Sequence, residues 1–341
     1  MKTKKYLIAG ALMLAMSTPA MAQDVDYAVA LKPIVVAIEA APNDPKAAKD
    51  LIKEYQKNFK KSEEAIVALG NVYLLQHNYD AATEIANNII NNKKYKGSLA
   101  YVLLGDIAAL KDSIGNAGAA ATQYQNAITV DPQNVTAYER YAKVFRHVNS
   151  KVAVQKLEEL RKVKPDYPVE ATAAEIMLGD GKYKEALEWY AKANPANMSE
   201  DNFYNYGFAA YITKDYQRAL DVVKQGLQKF PNSEYLSRIA MMASVELKDY
   251  ASAINYGKVV FAGSGKKVAN DYDVCAKALC GAQQYDEAIN TVNKALELDK
   301  NNIEPLKTLA AIYAAQGNDD KALEVQQEYL SKSKKATNND W

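Results

Sequence analysis

Few residues in this chain have side chains from which an active site is built. His77 and His147 stand far apart, so neither a histidine metal site nor a general-base cluster can be assembled, and His77, within Gln76-His77-Asn78-Tyr79, reads as a solvated turn residue. Gly263-Ser264-Gly265-Lys266-Lys267 has the composition of a phosphate-binding loop. That motif needs a glycine five residues before Gly265 and a serine or threonine at 267, however, and the chain has Val260 and Lys267 there. The stretch reads as a linker. Cys275 and Cys280 invite a redox reading, but five residues along one helix separate them by roughly 7.5 Å of rise and about 140° of rotation. Two free thiols acting as small apolar residues are expected instead. No acid and base can be paired on one site, so the sequence predicts a protein that is not an enzyme and needs no metal or cofactor.

Composition excludes further classes. The 341 residues are 49% hydrophobic and 24% charged, with 42 Lys+Arg against 41 Asp+Glu, 15 Gly, 10 Pro and 2 Cys. Collagenous, low-complexity and disulfide-framework chains look different. Near-neutrality leaves no long-range field to draw the chain to nucleic acid or to an anionic membrane. Residues 1–22 carry Lys2, Lys4 and Lys5, an apolar run from Tyr6 to Met16, and Ala20-Met21-Ala22 before Gln23. This is the pattern of a secretory signal peptide cleaved after Ala22. The apolar run is too short to span a bilayer, and no cysteine follows the cleavage point to carry a lipid. The expected location is the periplasm, with secretion as the less favoured alternative and no stable membrane insertion.

The elements that position whatever function exists are set by a repeat. Ala48, Ala82, Ala120, Ala153, Ala186, Ala219, Ala253, Ala288 and Ala322 recur at intervals of 33 to 35 residues, apart from one of 38. Tyrosine stands three residues before five of them, at Tyr79, Tyr183, Tyr216, Tyr250 and Tyr285, and a small residue stands twelve before at Gly70, Gly207 and Ala310. Leu69-Gly70-Asn71-Val72-Tyr73 followed by Tyr79 and Ala82 makes up most of one unit, and Tyr206-Gly207, Ala219 and Pro231 make up another. The pattern resembles the tetratricopeptide repeat, a pair of helices in about 34 residues.

The resemblance implies an all-α fold, an α-solenoid of about nine helix-turn-helix units in a right-handed superhelix. The units fall near 29–62, 63–96, 97–134, 135–166, 167–199, 200–233, 234–268, 269–302 and 303–336, giving a solenoid over 23–336 and a frayed tail at 337–341. A small residue in the first helix lets the second approach, and stacked neighbours bury what one pair cannot. Three features depart from the pattern. Met241 replaces the small residue of the seventh unit. The first unit is degenerate, with Pro33 expected to start its first helix and Asp44-Pro45 to cap its second. The third unit carries about four extra residues around Asp112-Ser113-Ile114, a tripeptide similar to an O-glycosylation acceptor of some bacterial envelope proteins, at Ser113.

Function is therefore expected on a surface. In the family that surface is the concave face lined by first helices, which binds peptides or partner domains. Carried onto this chain, the partner-binding candidates are Glu139, Lys143, Arg146, Tyr204, Phe208, Tyr211, Tyr235, Arg238 and Met242, with the aromatic residues as the hot-spot patch. The Lys-Asn-Asn-Lys-Arg clamp of the chaperone-binding subgroup is missing, since Val67 and Leu103 occupy two of its positions around Asn71. The leading expectation is a periplasmic adaptor or scaffold for a protein or extended peptide of the cell envelope. The alternative is a glycan or peptidoglycan binder that uses the same tyrosines as stacking platforms.

Overall fold

The computed structural model describes residues 25–41, 44, 46–111 and 117–339. The expected signal peptide, Pro45 and Ser113 lie outside the described residues. Within them the chain is helical, without strands: α1 Val25–Ala40, α2 Lys49–Phe59, α3 Glu63–Leu75, α4 Tyr79–Ile90, α5 Ser98–Lys111, α6 Ala117–Val130, α7 Val135–Phe145, α8 Ser150–Val163, α9 Glu170–Gly179, α10 Tyr183–Tyr190, α11 Glu200–Ile212, α12 Tyr216–Lys229, α13 Glu234–Glu246, α14 Tyr250–Ala262, α15 Ala269–Gly281, α16 Tyr285–Leu298, α17 Glu304–Ala315 and α18 Asp319–Asn339. They fall into two compact units, one up to Val169 and one from Glu170. Each is an α-solenoid of antiparallel helix pairs in which odd-numbered helices are the first of a pair and even-numbered helices the second.

Local chemistry repeats with the pairs. The turn inside a pair places a residue in the left-handed region five positions before the aligned alanine: His77, Lys214, Lys248 and Gln283, with Gly181 and Gly317 in two other pairs. The chain reverses there for lack of room for a longer loop, at the steric cost that non-glycine residues bear in that region. In four of these six turns an Asn or Asp then caps the second helix, whereas Lys182 and Gln284 make no side-chain cap bond there. Asn78 accepts the Ala81 N–H at 3.2 Å, Asp215 that of Arg218 at 3.3 Å and Asp249 that of Ser252 at 3.1 Å, each satisfying a donor the helix start leaves open.

Eight of the nine aligned alanines are buried; the exception is Ala322, in the last helix, which is partly exposed. The glycines explain the spacing. A Cβ on Gly70 would lie 2.4 Å from Leu103 Cδ2, and one on Gly207 would lie 2.5 Å from Val223 Cγ1. In the seventh pair the sizes are exchanged: Met241 is fully buried, and Gly257 on α14 takes the place that Val223 fills one pair earlier, so that a Cβ there would lie 3.2 Å from Met241 Sδ. The departure read from the sequence at Met241 is thus compensated across the crossing.

The first pair corrects two expectations. Pro33 lies inside α1 rather than at its start. Apolar residues on both sides of it, with Tyr27, Leu31 and Ile34 buried, hold the helix across the missing N–H. Asp44 accepts the Lys46 N–H at 2.9 Å and so closes a turn that precedes α2, which begins at Lys49 with Ala48 as a cap that makes no side-chain bond. The last helix runs to Asn339, so residues 337–339 of the expected frayed tail are helical, and 340–341 lie outside the described residues.

Candidate functional site

Along each unit, consecutive first helices touch one another, as α11 does α13, α13 does α15 and α15 does α17, whereas second helices chiefly touch first helices. First helices therefore line the tighter side of each stack, and their outward positions form its inner face.

In the second unit, α11 presents Tyr204, Phe208 and Tyr211 on one stripe, at helical spacings of four and three. Tyr204 and Phe208 lie nearly parallel, centroids 6.2 Å apart, and Tyr235 of α13 meets Tyr204 edge to face, also at 6.2 Å. Tyr211 tilts against Tyr216 at 5.4 Å. Burial first, and then the Glu246 carboxylate, push its phenol up to about 12. Tyr204, Phe208 and Tyr211 are half-buried against the core that holds Phe203, Val223 and Ile239, because neighbouring first helices approach closely enough to cover their inner edges. Tyr235 differs: 59% of it is exposed, on top of the patch. Met242 is half-buried against the core of the next pairs.

Arg238 is committed to a partner within the chain. Its guanidinium makes a two-pronged bond to Asp271 of α15, Nε to Oδ1 at 2.6 Å and a terminal nitrogen to Oδ2 at 3.0 Å. Asp271 is fully buried and also accepts the Val268 N–H at 3.0 Å. The pair is a strut between consecutive first helices. Beside it, the glycine-rich segment read as a linker wraps around a carboxylate. Glu234 accepts the Gly265 N–H at 2.9 Å and the Lys267 ammonium at 2.7 Å, and Lys267 also donates to the carbonyls of Gly263 and Gly265. The Lys267 and Gly265 bonds hold the Glu234 carboxyl below the usual carboxylate range. Further along, Asp273 receives Lys277 at 2.7 Å on one oxygen, while its other oxygen is buried without a donor.

The first unit holds Glu139, Lys143 and Arg146 on α7 or at its end. Glu139 accepts the Tyr167 hydroxyl at 2.6 Å, Lys143 is exposed, and Arg146 donates to His147 at 2.9 Å. They belong to a different compact unit from the aromatic patch. Here too, struts cross between pairs. Asp106 accepts the Tyr124 hydroxyl at 2.8 Å and faces Arg140 at 3.5 Å; burial raises its carboxyl against the opposing pull of Arg140. Glu63 accepts the N–H groups of Gly97 and Leu99, each at 2.9 Å, and so caps the first helix of the next pair.

Cys275 and Cys280 are free, and burial raises both thiols, Cys275 to about 11, which leaves little nucleophilic thiolate at neutral pH. No helix among the described residues is long and apolar enough to cross a membrane. A cleft of about 480 Å³ lies beside the short helix α10, walled by the stacked rings of Tyr190 and Tyr206 together with Met198, Val222, Gln225 and Gln228; no sequence signal pointed to it.

These repeated pairs, with small residues at the crossings and capped turns, have the helix-pair architecture of a tetratricopeptide-type α-solenoid. Residues 279–335 match the family profile described as tetratricopeptide repeat. A TPR repeat-containing protein of Methanocaldococcus jannaschii is 24% identical over 166 residues, which are 48% of this chain and 29% of the relative. BBSome complex member BBS4 of Bos taurus is 24% identical over 300 residues, 84% of this chain and 55% of the relative. The chain thus spans about a third and about half of the lengths of these two relatives. Among solved structures, MamA from Desulfovibrio magneticus superposes with a TM-score of 0.45 at 22% identity, covering 49% of this chain and 94% of the other.

Proposed function

We propose that the chain is a non-catalytic adaptor that holds a partner protein, or an extended segment of one, against the first-helix face of its second unit. The observation that carries this reading is Tyr235: a large aromatic, mostly exposed, standing on a bed of half-buried rings that fix its edge contact with Tyr204. A rigid aromatic with an apolar face and a hydroxyl is the kind of residue that anchors interfaces. The family and the bovine relative's membership of a complex are consistent with an interaction role. We place the protein in the periplasm on the strength of Lys2, Lys4, Lys5, the apolar run and Ala20-Met21-Ala22.

The test is capture from an envelope extract with the full processed chain as bait. Its intact mass first reports whether it begins at Gln23, and a retained Met1 would remove the export reading. Tyr235→Ala is expected to leave helicity and thermal stability unchanged while weakening capture by about 2 kcal/mol. Unaltered capture by that variant would remove the site. Tyr235 is a better probe than Tyr204 or Tyr211, whose loss would also disturb the core.

A further inference from the structure

The five first helices of the second unit carry nine carboxylates and three cations, whereas its five second helices carry ten of each. All three cations are engaged by carboxylates of the same layer: Arg238 by Asp271, Lys277 by Asp273 and Lys307 by Glu304. Many of the acids stand in first turns, where a negative charge suits the positive end of the helix. Two do not. Glu246 is the last residue of α13, at the end where a carboxylate opposes the helix dipole; it is exposed, close enough to Tyr211 to raise its phenol, and makes no ion pair among the described residues. Asp273 sits in the second turn of α15, 6% exposed, with one oxygen that no donor reaches. Neither helix chemistry nor internal pairing accounts for the Glu246 carboxylate. With exposed Asp201, one turn before Tyr204, Glu246 leaves uncompensated negative charge beside the aromatic patch.

Resting on the reading that partners bind this face, we propose that the occupant is a basic extended segment of a partner protein, its Lys and Arg side chains passing Asp201 and Glu246 and laying a cation over the exposed ring of Tyr235. Opposite charges around the rim steer encounter and select partners. A cation over an aromatic face adds attraction that a neutral or acidic segment cannot supply.

The experiment measures fluorescence anisotropy of labelled peptides on the full processed chain: one alternating lysine and serine, one alternating glutamate and serine, one of serine and glycine. The lysine peptide is expected to bind at least about tenfold tighter than either control and to weaken as salt is raised. Glu246→Lys with Asp201→Asn should remove about tenfold of that affinity. The first of these changes suits the α13 dipole, so unaltered circular dichroism is expected alongside. Equal binding of lysine and glutamate peptides, or lysine binding untouched by the double variant, overturns the proposal. If the native partner is lost with Tyr235→Ala but the lysine peptide shows no preference, the basic-segment inference falls while the site stands. If charge removal abolishes lysine binding but Tyr235→Ala captures the native partner normally, the site reading falls.

Discussion

Valine in place of Gly257 is expected to lower the unfolding free energy by about 1 to 3 kcal/mol, and the same change in a chain that also carries Met241→Gly is expected to recover most of the loss. At this crossing the bulk lies on the first helix, where Met241 is fully buried, and the space lies on the second, where even a Cβ would sit 3.2 Å from Met241 Sδ and 3.5 Å from Cys275 Sγ. One pair earlier the arrangement is reversed, with Gly207 facing Val223. Met241→Gly alone leaves a cavity and should cost about 2 to 5 kcal/mol. The double variant rebuilds the Gly207–Val223 arrangement, so the two changes should couple strongly and favourably in a double-mutant cycle read by denaturant unfolding. Additive losses would mean that the residues do not share one crossing. Overpacking should be felt at the aligned alanines as well: phenylalanine at Ala153, Ala219 or Ala288, all fully buried, has no space to enter.

Removing Arg238 should destabilise the fold by about 3 to 5 kcal/mol, because it strands a fully buried Asp271 carboxylate with one backbone N–H as its remaining donor. Arg238→Met combined with Asp271→Asn should cost much less, since no unpaired charge is left behind. Thermal or denaturant unfolding separates the two cases. If Arg238→Ala unfolds like the parent chain yet fails to capture its partner, the guanidinium is a binding group and the strut is incidental.

The fold was legible because alanine, tyrosine and glycine recur at one period, and only a helix pair of fixed length requires that. The first pair misled because proline is judged by its local preference, and the buried residues around Pro33 outweigh it. The site was legible in part. Spacing placed Tyr204, Phe208, Tyr211, Tyr235 and Arg238 on the first-helix face, but it does not tell which side chains a neighbouring pair has already claimed. A signal for that does exist in the sequence: opposite charges one repeat apart. Asp106 and Arg140, Arg238 and Asp271, and Glu234 and Lys267 are separated by 34, 33 and 33 residues, and each pair is joined in the folded chain. The same arithmetic would have marked Arg238 as a strut and left Tyr235 as the exposed anchor.

The most direct measurement of the proposed role places a photoreactive amino acid at position 235 on the inner layer, or at position 225 on the exposed face of second helix α12, and maps the adducts formed with the native partner by mass spectrometry. The first-helix reading predicts a partner adduct at 235 and none at 225. An adduct at 225 alone would contradict it and move the binding surface to the second helices.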